Sequence, residues 1–184
     1  MKLARPIRLL ILITVGVLAC GLAYVLVNKR IDLVESRVVV KRFEVQFPAD
    51  KSKAWEFLWN NFSDRPELKK FDKEGGDDWE AKFHRHEWFL IAKARLKLLD
   101  AASLKNCLSE VFKDAQTTNA GLTYLPVAAY STKQGSTDVW IIVVKWECIS
   151  FFSNDEPSGY ELGHIRMFAF DAKKHTVIGF STCM

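Results

Sequence analysis

Residues 9–27 form an unbroken apolar run without one charged side chain, bounded by Lys2, Arg5 and Arg8 before it and by Lys29 and Arg30 after it. Nineteen residues at about 1.5 Å each make a helix of about 28 Å, close to the ~30 Å hydrocarbon core of a bilayer. The pattern predicts a retained single-pass transmembrane helix, a signal-anchor. A basic tail directly against the run favours N-inside, with the rest of the chain on the outer, periplasmic or extracellular side. Two alternatives share the same residues. Val17-Leu18-Ala19-Cys20 resembles a bacterial lipobox, which would make an acylated Cys20 the first mature residue. Plain cleavage as a secretory signal is the other.

After a charged stalk over 28–37 the pattern is that of one domain over 38–184. Val and Phe alternate loosely over 38–47 and predict a strand ended by Pro48. Asp50 can cap a helix over 51–62, on which Ala54, Trp55, Leu58, Trp59 and Phe62 share one apolar stripe. That spacing assigns Trp55 and Trp59 to the core, with a partner-docking face as the alternative. Residues 63–78, with Pro66 and the Gly75-Gly76 pair, read as a loop; its acids lack the alternating oxygen pattern of an EF-hand. Over 79–115 the period is helical in two phases. Phe89, Ala92, Leu96 and Leu99 carry the first; Leu104, Leu108, Val111 and Ala115, with Cys107 beside them, carry the second. Asp100 or Ser103 can cap the second helix after a break near 100–103.

From residue 122 the period becomes two. Residues 122–132 predict a strand in which Pro126 marks an edge or a bulge. Gly135-Ser136 is a turn, and 138–149 is the clearest strand of all, with Trp140, Ile142, Val144, Trp146 and Cys148 on one face and Lys145 and Glu147 marking a wetter one. Residues 161–171 and 176–184 form a hairpin. The order predicts an α+β domain: helices packed on one face of a curved four- to five-stranded antiparallel sheet. Cystatin-like and NTF2-like folds share this general plan, by analogy of element order.

Charge narrows the partners. Three of the 26 Lys and Arg precede the apolar run, which leaves 23 against 22 acids in the rest of the chain. A near-neutral domain lacks the concentrated basic face that nucleic acid requires, so the bilayer and a protein or small-ligand partner are the expected contacts. Cys107, Cys148 and Cys183 fit no CxxC spacing and are expected as buried free thiols. In a simple meander Cys148 and Cys183 stand two strands apart, about 10 Å, too far for a disulfide.

Few residues suggest chemistry. His84 and His86 are two apart, so on a helix they point away from each other and form no metal pair. They are expected on the surface. If Phe170 pairs with Val177, an unbroken register sets Arg166 against Ser181 and His164 against Cys183. His164, Arg166, Ser181 and Cys183 would then share one face as a ligand or partner patch. A Cys beside a His is the minimum for an activated thiolate, but no orienting acid or oxyanion donor accompanies this pair. No cofactor or metal is expected. The reading is a membrane-anchored, non-catalytic binding or structural module of the cell envelope. An envelope lipoprotein acylated at Cys20 is one alternative. An enzyme using His164 and Cys183 in a pocket between helices and sheet is another.

Two short stretches resemble known families. Phe47-Pro48-Ala49-Asp50 through Ala54-Trp55-Glu56-Phe57-Leu58 resembles the opening strand and helix of START-like lipid-binding domains. Phe170-Asp171-Ala172-Lys173 with Thr176-Val177-Ile178 resembles the final hairpin of PepSY-type domains. Both resemblances are local, and the chain departs from the START-like plan by ending in a strand.

Overall fold

A computed structural model describes residues 16, 21, 37–71, 78–118, 123–147 and 164–182. The chain divides into two compact units, Met1–Ser36 and Arg37–Met184. In the first, Gly16 and Gly21 are helical and exposed; the rest of the predicted anchor, Cys20 and the stalk to residue 36 lie outside the described residues. Among the described residues no helix is long and apolar enough to cross a membrane.

The second unit is α+β, with three helices and a mostly antiparallel five-stranded open sheet. Strand β1 (Val39–Arg42) is followed by a 3-10 turn (Lys51–Lys53), helix α1 (Ala54–Phe62) and a 3-10 segment (Pro66–Phe71). Helices α2 (Trp79–Leu96) and α3 (Ala101–Thr118) come next. Strands β2 (Thr123–Gln134), β3 (Thr137–Glu147), β4 (His164–Asp171) and β5 (Val177–Thr182) complete it. The strands lie in chain order.

The local signals explain most of these boundaries. Asp50 accepts from the Ser52 N–H and hydroxyl and starts the turn that leads into α1. Asp100 accepts from the Ser103 N–H at the start of α3, so the break between the long helices falls where the capping residues predict it. Gly135 takes the left-handed conformation of the tight β2–β3 turn, φ 60°. Asp171 accepts from the Lys173 and Lys174 N–H groups and closes the β4–β5 turn.

Three features bear on the predicted plan, and the first and third differ from it. First, β1 pairs with β2 in parallel, not antiparallel. Past Arg42 the chain stays on β2 through Phe43 N–H to the Ser131 carbonyl and Phe47 N–H to the Lys133 carbonyl. A parallel pair needs a long crossover, and the three intervening helices supply it. Second, of the edge or bulge that Pro126 predicts, the structure has the bulge, inside β2. The Pro126 carbonyl accepts from His86 Nδ1 at 3.1 Å.

Third, helices cover both faces of the sheet. Phe62 of α1 stacks against Tyr130 of β2, and Phe47 and Ala54 press on Gly179 of β5. On the other face Asp114 of α3 meets Arg166 of β4, and α2 packs on α3 and β2. Val139, Trp140, Ile141, Ile142, Val143 and Val144 are therefore buried on alternate sides, and Lys145 is 5% exposed. The face predicted to be wet is covered. A strand buried on both faces reads as a continuous apolar run, and 139–144 is one.

Candidate docking surfaces and the Arg166 cluster

Helix α1 carries six apolar residues, more than its contact with the sheet can bury. Ala54, Leu58 and Phe62 are buried, whereas Trp55 is 52% exposed and Trp59 half-buried. The indole rings stack on each other, centroids 5.8 Å apart and planes within 5°. The assignment of this pair to the core is thus corrected: at i, i+4 and i+8 the smaller residues and Phe62 take the core, which turns the tryptophans outward. What remains is a flat aromatic face beside exposed Lys51, Lys53 and Glu56.

The four residues expected on one sheet face do not gather. Phe170 does face Val177, but the ladder slips between Ala169 and Phe170, where β5 carries one extra residue. Beyond the bulge Arg166 faces Thr182, and Ser181 faces Met167 on the opposite side, fully buried. Cys183 lies outside the described residues, as does Cys148. A one-residue bulge exchanges the faces of every later residue on its strand.

Arg166 and His164 instead keep other company. The Arg166 guanidinium lies over the rings of Trp146 (4.6 Å), Tyr124 (5.1 Å) and Phe180 (5.6 Å), and its Nη1 stands 3.7 Å from the Asp114 carboxylate. The Tyr124 hydroxyl donates to the same carboxylate. The His164 ring packs on Trp146, centroids 4.9 Å apart. Burial lowers the Arg166 pKa and Asp114 works against that shift. Arg166 Nε and Trp146 Nε1 are buried without a hydrogen-bond partner. This is a cation held in an aromatic cage that fastens α3 to the sheet. No sequence signal joins Asp114 to Arg166, because they stand 52 positions apart.

The remaining candidates have structural roles. His86, expected on the surface, is 5% exposed under Phe71 and bonded to the bulge carbonyl; His84 is exposed and bonded to Glu87, so the two do point apart. Cys107 is a free, buried thiol whose pKa burial pushes up to about 12, the opposite of an activated nucleophile. Among the described residues no His, Cys, Asp or Glu group could hold a metal ion. A cavity of about 400 Å³ lies at the rim of the sheet, lined by Arg42, Phe43, Glu44, Ser131, Lys133 and Asp138 among others. Two smaller ones lie beside the 3-10 segment and the β4–β5 turn. None of these three opens between helices and sheet. Comparison with known protein families, with curated proteins and with solved structures gives no match for this chain.

Proposed function

We propose that this protein is a membrane-anchored, non-catalytic binding module of the cell envelope, docking a protein partner through Trp55 and Trp59. The observation that carries the docking role is the stacked indole pair, exposed Trp55 on half-buried Trp59, on a helix whose opposite side is core. Tryptophan is enriched at the energetic centres of protein interfaces, and the half of Trp55 that stands in water returns nothing to the fold. The anchor rests on the uncharged run 9–27 with its basic flanks. The enzyme alternative rests on His164, which packs on Trp146, and on Cys183, which lies outside the described residues.

Two measurements test the reading. A photo-crosslinking amino acid at exposed Glu56, in cells producing the full chain, should give discrete protein adducts. Trp55→Ala with Trp59→Ala should reduce them about tenfold or more, with the near-UV spectrum of the domain otherwise retained. Unchanged adducts would remove the docking role. The mass of the mature protein should begin at Met1; an acylated Cys20 at its start would replace the anchor by the lipoprotein alternative.

A further inference from the structure

Helix α2 has a second apolar stripe that the fold does not use. Phe83, His86, Phe89, Leu90 and Ala94 are buried. On another side, Trp88, Ala92 and Leu96 follow one another at single turns; Trp88 is 54% and Leu96 72% exposed. Exposed Arg85 and Arg95 flank that stripe. The helix's own acids are elsewhere: Glu87 is bonded to His84, Glu80 lies in the first turn, and Asp78 before it is paired with Lys82.

The stripe ends in Leu98, which is 91% exposed with φ 53°. The Leu99 N–H bonds the Ala94 carbonyl and the Leu98 N–H bonds that of Arg95, the two bonds of a Schellman cap. Glycine is the usual residue at the left-handed position of this cap, since a Cβ there is strained. Leu98 thus carries backbone strain while its side chain contacts water. Neither expense is recovered within the fold.

We infer that the Trp88–Ala92–Leu96 face and Leu98 lie in the headgroup region of an anionic bilayer. Arginines interleaved with an indole and leucines, with the neighbouring Glu87 carboxylate held by His84, are the composition of interfacial helices. The inference rests on the anchor reading, because that anchor supplies the bilayer. Residues 28–37 span at most about 35 Å from its end. Lys93 Nζ bonds the Val38 carbonyl at 2.7 Å, so α2 runs beside the point where the domain begins.

The test uses the full chain in vesicles of mixed phosphatidylcholine and phosphatidylglycerol that contain a photoactivatable diazirine lipid. Digestion and mass spectrometry then locate the lipid adducts. Adducts are expected in residues 9–27 and also in 85–99. Those in 85–99 should fall about tenfold in pure phosphatidylcholine, and similarly with Leu98→Gly or Trp88→Ser, two exposed positions whose change leaves the core intact. Adducts confined to 9–27 overturn the inference and leave the anchor standing. Adducts in neither segment overturn both. Crosslinks from 85–99 to protein instead of lipid assign the face to a protein partner and overturn it as well.

Discussion

Leu98 shows how a single residue can oppose its own fold. A left-handed conformation costs a non-glycine residue about 1–2 kcal/mol, and glycine returns part of that through a more disordered unfolded chain. Leu98→Gly is therefore expected to raise unfolding free energy by about 0.5–1 kcal/mol, read from denaturant unfolding of the full chain in detergent. A loss of stability would mean that the leucine packs on the fold. Other residues were legible from their neighbours alone. Asp50, Asp100 and Gly135 each serve a cap or turn formed within three residues, so the sequence identifies them. His86 was not legible, because its partner is a carbonyl forty residues away, exposed by a bulge that the sequence only hints at.

At the scale of elements the same division recurs. Helix and strand periods located α1, α2, α3 and the four meander strands, since period is a local property. They did not fix phase. Helices α1 and α2 each offer more apolar surface than one contact can bury, and the choice fell to neighbours distant in sequence. Beside the bulge in β5, Gly179 sits where a Cβ would come 2.6 Å from Phe47 Cζ and 3.0 Å from the Ala54 Cβ, residues distant in sequence. Gly179→Ala is expected to destabilise the domain by about 1–3 kcal/mol by overpacking, measured by thermal or denaturant melts. A neutral result would show that the Phe47 ring can swing away. Strand β1 shows a protective device of the same scale. Lys93 of α2 and Lys97 just after it donate to the Val38 and Val40 carbonyls at the sheet's edge, which blocks pairing with another chain.

The whole molecule answers to acid through groups that belong to turns. Hydrogen bonds from the Lys174 and Lys173 N–H groups hold the Asp171 carboxyl below the usual range, and those from the Ser52 hydroxyl and N–H do so for Asp50. A carboxyl with a folded pKa below its unfolded value contributes stability that is present above the unfolded value. That stability is lost as pH falls through the folded one. These two groups should therefore make stability decline below about pH 4, followed by denaturation midpoints between about pH 5 and pH 2. Asp171→Asn, which keeps an acceptor for both N–H groups, should make the decline shallower; an unchanged slope would assign the acid sensitivity elsewhere. The architecture itself was half legible. The sequence by itself determined the apolar run, the α+β order, the caps and the turns, because each depends on residues within a few positions of one another. Only the tertiary structure decided that β1 runs parallel to β2, that helices cover both sheet faces, that Ser181 turns inward, and that Trp55, Trp88 and Leu98 turn outward. Those outcomes depend on which of several equally apolar surfaces meet, a competition settled by shape and volume across the whole chain.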